Sequence, residues 1–209
     1  MAKSPSLFKK LRFFKKPPPK PIVDRQRDGY TWREKNFLPL AKLQEKGYNG
    51  TENGPAGPLE EELFMIAIAS DHGGYQLKEH LKAYLAAKGV TCQDFGTDSI
   101  DSCDYPIFGK AAAQAVAEGR CEKGIVICTT GIGISITANK VHGIRCALCG
   151  DVLSAELTRR HNNANMLALG AGITGPMLAE RIVDVFLSTE FEGGRHQRRV
   201  GLMMEIEKE

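Results

Sequence analysis

The sequence lacks long hydrophobic runs. Its longest strictly apolar run covers residues 63–69, far short of the ~20 residues that a membrane-spanning helix needs. The basic amino-terminal stretch is followed by prolines rather than by an apolar segment, so we predict no secretory signal. Neither sign of charge dominates, because 28 Lys and Arg stand against 25 Asp and Glu. With 42% hydrophobic residues in 209, the composition is that of a globular protein rather than a disordered or fibrous one.

The sequence also lacks a repeated cysteine pattern. Its six cysteines do not form the dense framework of a disulfide-rich scaffold, which indicates reduced thiols in a cytoplasmic protein. Cys146 and Cys149 have the spacing of a redox or metal pair. No second such pair and no histidine pair completes a zinc site, so we interpret the two thiols as structural.

Charge is divided unevenly along the chain. Residues 1–64 carry a net charge of +5, whereas residues 65–209 carry −2. The first 23 residues contain seven basic residues, five prolines and no acid. This composition is typical either of a flexible tail or of a short basic amphipathic helix that binds a membrane surface or a partner or directs import into an organelle. We predict a basic, proline-rich, flexible extension over residues 1–64 and one domain over residues 65–209, with no bias of the domain toward nucleic acid.

From Met65 onward, short apolar runs alternate with segments of helical periodicity. The sequence predicts strands at residues 65–70, 90–95, 124–128, 144–149 and 166–170. It predicts helices at residues 75–88, from Pro106 to before Gly119, up to about Asn139, and at residues 151–161, 174–189 and about 198–207. Because the strands are continuous apolar runs, both faces of the sheet should be covered. We therefore predict an α/β fold: a three-layer, doubly wound, five-stranded parallel sheet, similar to a Rossmann fold.

Ligands of such sheets bind at the carboxyl ends of the strands. There, Cys128 directly precedes a glycine-containing turn, Gly131-Ile132-Gly133, that leads into a predicted helix. Ile136 stands where a dinucleotide-binding turn has its third glycine, and the P-loop pattern is absent. The strand, glycine turn and helix that remain are typical of a site that binds an anion through backbone N–H groups. The same turn stabilises a thiolate at Cys128, which could act as a nucleophile or a base. The alternative is a small buried cysteine with no chemistry.

Seven short segments then carry a resemblance. They are 66–74 (IAIASDHGG), 104–106 (DYP), 128–135 (CTTGIGIS), 139–140 (NK), 143–145 (GIR), 161–165 (HNNAN) and 192–199 (EGGRHQRR). In this order they resemble the ribose-5-phosphate isomerase B family, which also contains the galactose-6-phosphate isomerase subunits. The resemblance covers residues 65–207 and none of residues 1–64.

The resemblance implies an aldose–ketose isomerase of the pentose phosphate pathway that interconverts ribose 5-phosphate and ribulose 5-phosphate without a metal or a nucleotide cofactor. It implies that Cys128 moves a proton between C2 and C1 of the open-chain sugar. Thr130 and His161 are expected to help open the ring, with Asp71 near the sugar hydroxyls. Substrate and phosphate binding is expected from His72, Tyr105, Gly131, Ile132, Gly133, Ile134, Ser135, Arg145, Asn162, Arg195, His196 and Arg199.

Two alternatives stay open at this point. The substrate could be a six-carbon phosphosugar, allose 6-phosphate or galactose 6-phosphate, or the domain could bind phosphosugars without catalysis. The resemblance further implies a homodimer or homotetramer with sites shared between subunits. In that arrangement His161, Asn162 and Arg145 serve a neighbouring subunit.

Overall fold

The computed structural model describes residues 65–209, so the predictions for residues 1–64 lie outside the described residues. Strands and helices alternate along the chain. In order they are β1 (Met65–Ser70), α1 (Tyr75–Ala87), β2 (Thr91–Asp94), α2 (Tyr105–Ala117), β3 (Lys123–Cys128), α3 (Ile132–Ala138), β4 (Cys146–Leu148), α4 (Val152–Asn162), β5 (Met166–Gly170), α5 (Pro176–Ser188) and α6 (Arg195–Glu205), followed by a 3₁₀ turn at Ile206–Lys208.

All strand pairs are parallel, in the order β2-β1-β3-β5-β4. This confirms the predicted doubly wound sheet. The three central strands β1, β3 and β5 are almost wholly buried. The outer strands are shorter than predicted and partly exposed, because each has a neighbour on one side only. Continuous apolar runs therefore predicted burial on both faces correctly for the three central strands and incorrectly for the two outer strands.

The two faces of the sheet differ in the size of their side chains. On one face Ile66 and Ile68 of β1 pack with leucines of α1 and with apolar residues of α4 and α5. On the other face Ala67 and Ala69 pack with alanines of α2 and with Ile134 of α3. Because neighbouring residues of a strand point to opposite faces, the alternating Ile and Ala of β1 build both layers at once.

The last helix begins earlier than predicted. The sequence predicts a helix over about 198–207, but α6 starts at Arg195. Gly193 and Gly194 both have positive φ, 65° and 55°, and they turn the chain immediately before the helix. The N–H of His196 donates to the carbonyl of Gly193 at 3.0 Å. As a result, Arg195 and His196 lie in the first helical turn rather than in a loop.

Candidate functional site

Cys128 is the last residue of β3 and is only 5% exposed. Its Sγ atom accepts a hydrogen bond of 3.1 Å from the N–H of Gly131. Gly131 has a φ of +76°, and a Cβ atom there would lie 2.8 Å from the backbone carbon of Leu169. Only glycine fits this turn, and the turn aims a backbone donor at the sulfur.

The turn leaves further donors available. The hydroxyl oxygen of Thr130 accepts from the N–H of Ile132 at 3.3 Å. Within residues 65–209, the N–H groups of Gly133 and Ile134 have no hydrogen-bond partner, as expected in a first helical turn. The ring of Tyr105 packs against one side of this turn, since a Cβ on Gly133 would lie 2.6 Å from Tyr105 Cζ.

The loop after β1 lies beside the loop after β3. Asp71 is buried, and its Oδ1 accepts from the N–H of Gly74 at 3.0 Å. A Cβ on Gly73 would lie 2.2 Å from the Oγ1 of Thr129, so the two loops touch closely. The Nδ1 of His72 accepts from the N–H of Cys103 at 3.2 Å. This bond assigns the proton of neutral His72 to Nε2, which is the nitrogen left to meet a ligand.

A cavity of about 640 Å³ opens at the carboxyl ends of the strands. His72, Gly73 and Thr129 line one part of it, and Gly172 lines another. Its lining within residues 65–209 includes His72 of the predicted site residues but not Cys128. We call Asp71, His72, Tyr105, Cys128 and residues 130–135 the carboxyl-edge group.

The other predicted residues lie at the amino ends of the strands, and we call this end of the sheet its amino edge. Arg145 directly precedes β4, and His161 and Asn162 end α4 shortly before β5 begins. The rings of His161 and His196 stack with centroids 4.2 Å apart, which places the start of α6 at the same edge. We call this the amino-edge group; its members are Arg145, His161, Asn162, Arg195, His196 and Arg199.

Arg145 is held by its own chain. Its Nε donates to the carbonyl of Asn163 at 2.9 Å, and its Nη1 donates to the carbonyl of Gly143 at 3.3 Å. Burial lowers the pKa of Arg145 from its ordinary value, partly offset by the nearby Glu207. The Nη2 nitrogen has no hydrogen-bond partner within residues 65–209, so one end of the guanidinium is available to an anion.

The two stacked histidines share a carboxylate. Glu192 Oε2 lies 3.8 Å from His161 Nε2 and 3.7 Å from His196 Nε2. Arg160 hydrogen-bonds to Glu192 and lowers the pKa of that carboxyl group. Burial, together with the charges of His161 and neighbouring arginines, lowers the pKa of His196. At neutral pH this pattern favours an uncharged His196 beside an ionised Glu192.

The two groups stay apart in one chain. No hydrogen bond, ion pair or ring contact among residues 65–209 joins the carboxyl-edge group to the amino-edge group. Central strands of five or six residues separate the two edges, a length of about 17–20 Å at roughly 3.3 Å per residue.

Sequence reasoning missed two supporting residues. Cys103, which bonds to His72, stands in no pattern that predicted the contact. Lys78 is 1% exposed, and its Nζ donates to Asp94 Oδ2 at 2.6 Å and to the Thr97 carbonyl at 2.8 Å. The signal was available here, because Lys78 lies three positions before Leu81 on the buried face of α1.

The parallel sheet with helices on both faces defines a doubly wound α/β protein. The sequence model of the Ribose/Galactose Isomerase family matches residues 66–203, and the chain belongs to this family. The chain is 47% identical over 143 residues to ribose-5-phosphate isomerase B of Escherichia coli, a match that covers 68% of this chain and 96% of that protein.

Two solved structures of ribose-5-phosphate isomerase B are similar to this chain. One is ribose-5-phosphate isomerase B of Clostridium thermocellum, 53% identical with a TM-score of 0.68, covering 69% of this chain and 97% of that one. Another is ribose-5-phosphate isomerase B of Mycoplasma genitalium with bound ribulose 5-phosphate, 41% identical with a TM-score of 0.68, covering 70% of this chain and 97% of that one. Within residues 65–209, no helix has the length and apolar character needed to cross a membrane.

Proposed function

We propose that the protein interconverts ribose 5-phosphate and ribulose 5-phosphate. The observation that carries the proposal is Cys128 at the end of β3, hydrogen-bonded by Gly131 N–H and followed by backbone donors that have no partner within residues 65–209. The chain also belongs to the family of the E. coli and C. thermocellum enzymes.

Cys128 is the base that transfers the proton in this proposal. As a thiolate it removes the proton from C2 of the open-chain aldose, and the electron pair moves onto the oxygens of a cis-enediolate. The thiol then returns the proton to C1, the hydrogen of the C2 hydroxyl passes to the oxygen on C1, and the ketose forms, so the step consumes no other reactant. The N–H groups of Gly133 and Ile134, unpaired among the described residues, lie in the first turn of α3 and can stabilise the negative oxygen. Such preorganised donors are often the largest single contribution to catalysis.

Ring opening needs groups that exchange protons near neutral pH. The Thr130 hydroxyl accepts from Ile132 N–H and keeps its own hydrogen for a ligand. Asp71 has one carboxylate oxygen that does not bond to Gly74 and can accept from a sugar hydroxyl. His161 provides the general acid or base for this step, since an imidazole can both donate and accept a proton.

The phosphate needs cations, which the amino-edge group supplies. Arg195 and Arg199 lie one helical turn apart on α6, and Arg145 offers its remaining nitrogen. Because a guanidinium group can donate two parallel hydrogen bonds to a phosphate, these side chains suit the dianion of a sugar phosphate. His72 at the carboxyl edge and His196 at the amino edge can donate further hydrogen bonds to the phosphate.

Since the two groups lie at opposite edges of the sheet, we infer that a complete site needs two subunits. In a two-fold symmetric dimer the carboxyl edge of one subunit meets the amino edge of its partner, and the symmetry produces two equal sites. We therefore propose a homodimer, or a homotetramer built from such dimers. The six cysteines, all free, support a reducing compartment such as the cytoplasm.

The test is direct. The purified full chain is incubated with ribose 5-phosphate in the presence of a metal chelator, and ribulose 5-phosphate is measured over time. We expect turnover under these conditions. Parallel reactions with allose 6-phosphate and galactose 6-phosphate determine the preferred sugar. A folded, oligomeric protein that converts only a six-carbon substrate would replace the ribose assignment; one that binds phosphosugars and converts none would contradict the isomerase.

A further inference from the structure

Lys78 is a buried cation that contacts the loop between β2 and α2, residues 95–104, which we call the 95–104 loop. The side chain of Lys78 is 1% exposed. Its Nζ donates to Asp94 Oδ2 at 2.6 Å and to the carbonyl of Thr97 at 2.8 Å. Burying an ammonium group is costly unless it has such acceptors. Lys78 therefore ties α1 to the start of this loop.

The start of the 95–104 loop is also packed closely against β1. The N–H of Thr97 donates to the carbonyl of Ser70, the last residue of β1, at 2.9 Å. A Cβ on Gly96 would lie 2.5 Å from the nitrogen of Ser70 and 3.0 Å from Cδ of Lys78. The loop thus begins in a fixed position between the end of β1 and the side chain of Lys78.

The other end of the same loop reaches the candidate site. The N–H of Cys103 donates to Nδ1 of His72 at 3.2 Å. Turn hydrogen bonds span part of the loop in between: Ser99 N–H donates to Thr97 Oγ1 at 3.3 Å, and Asp101 N–H donates to Ser99 Oγ at 2.9 Å. The loop therefore connects the contact with Lys78 to the contact with His72.

The contact with Cys103 decides which nitrogen of His72 can donate. A neutral imidazole that accepts a hydrogen bond at Nδ1 carries its proton at Nε2. In the proposed function Nε2 is then the donor to the substrate phosphate. If the loop shifts and the N–H of Cys103 moves away, the proton of His72 is free to occupy either nitrogen, and the donor is lost for part of the time.

We propose that Lys78 is a positioning residue: it fixes the 95–104 loop so that Cys103 holds His72 in the tautomer that donates from Nε2. Lys78 acts through the loop rather than by contact with the substrate. The benefit to phosphate binding rests on the proposed function, whereas the effect on the His72 tautomer does not depend on turnover.

The experiment compares Lys78→Met with Lys82→Met in the full chain. Methionine is similar to lysine in length and carries no charge, and Asp94 keeps an ion pair when Lys78 is replaced, because Lys82 Nζ lies 2.7 Å from the same oxygen. Lys82→Met is the matched control, since Lys82 shares that carboxylate but has no hydrogen bond to Thr97 among residues 65–209.

Two quantities are measured for each variant. Nitrogen NMR of the imidazole rings, at a pH of about 8.5 where an ordinary histidine is neutral, shows which nitrogen of His72 carries the proton. The spectrum of His72→Asn assigns the signals. Steady-state kinetics with ribose 5-phosphate then separates KM from kcat, and melting curves confirm that each variant is folded.

We expect the Nε2–H tautomer alone in wild type and in Lys82→Met, and a mixture of both tautomers in Lys78→Met. KM should rise about three- to tenfold in Lys78→Met with little change in kcat, as for the loss of one hydrogen bond that binds substrate and transition state equally. In a His72→Asn background the same substitution should leave KM unchanged, because the residue through which Lys78 acts is absent.

An unchanged His72 tautomer in folded Lys78→Met would overturn the proposal and leave Lys78 a role in stability alone. Lys78→Gln, whose shorter side chain does not reach both acceptors, repeats the test if Lys78→Met does not fold. Mixed tautomers with an unchanged KM in an active enzyme would overturn the role in phosphate binding. Mixed tautomers in a protein whose wild type shows no turnover would support the positioning of His72 and contradict the proposed function.

Discussion

The two edges of the sheet differ in which groups of the chain they present, backbone groups at one and side chains at the other. The carboxyl edge works through the backbone: Gly131 directs an N–H at Cys128, and close glycine contacts leave the loops little freedom. The amino edge works through long or titratable side chains at helix ends, such as the exposed Arg195 and the stacked His161. In the proposed function the carboxyl edge stabilises the reacting anion, and the amino edge binds the phosphate and moves protons. That proposal requires both edges.

The largest effect should come from the carboxyl edge. Cys128→Ala removes the proposed base, and we expect turnover of ribose 5-phosphate to fall by about 10²–10⁴-fold, the range for general acid–base groups. The same measurement on Cys121→Ala is the control, because Cys121 is also buried in the alanine-rich layer but lies before β3. Full activity of a folded Cys128→Ala would remove Cys128 from the mechanism.

Mixed subunits test whether the two edges cooperate across an interface. Cys128→Ala and His161→Ala are each expected to be nearly inactive, so they are co-expressed with different tags. With random association, half of the dimers are mixed, and each mixed dimer has one intact site. We therefore expect about a quarter of wild-type activity from the unseparated mixture. Activity no higher than that of the separate variants would show that both residues act within one chain.

Substitutions of glycine compare the rigidity of the edges. Gly131 and Gly143 both have positive φ, 76° and 83°, so alanine at either position costs roughly 1–2 kcal/mol of backbone strain. At Gly143 a Cβ meets nothing within 4 Å, whereas at Gly131 it meets Leu148 Cδ1 at 2.5 Å and backbone at 2.8 Å. Denaturant unfolding should show a clearly larger loss for Gly131→Ala. Equal losses would mean that the turn relaxes and that its close packing is not essential.

The smallest effect concerns pH at the amino edge. Because burial lowers the pKa of folded His196, the unfolded chain binds the proton more readily below about pH 6.5. The stability contribution of neutral His196 is therefore complete above that pH and declines as pH falls toward the folded pKa. We expect the melting temperature of wild type to drop more between pH 7.5 and 5.5 than that of His196→Gln. His142→Gln, changed at an exposed position, should follow wild type; parallel curves for all three would contradict the assignment.

Much of the fold followed from local patterns. Strands β1 and β5 begin and end at the predicted residues, and Leu77, Leu81 and Leu85 of α1 are buried as their spacing predicts. The outer strands were predicted too long, because an apolar run does not reveal whether a strand has one neighbour or two. The start of α6 was missed, because charged residues after two glycines look like a loop until the helix forms.

For the candidate site, the sequence by itself determined the chemistry: a cysteine before a glycine turn, a histidine near the end of a helix, and arginines near the carboxyl terminus. Residue type and local spacing carry that information, since a turn or a cap depends on only a few neighbours. Only the tertiary structure decided where these groups lie, with Cys128 at one edge of the sheet and His161, Glu192 and His196 together at the other. The reason is geometric: each helix returns the chain to the opposite edge, so residues that follow strands and residues that follow helices separate by the length of the sheet.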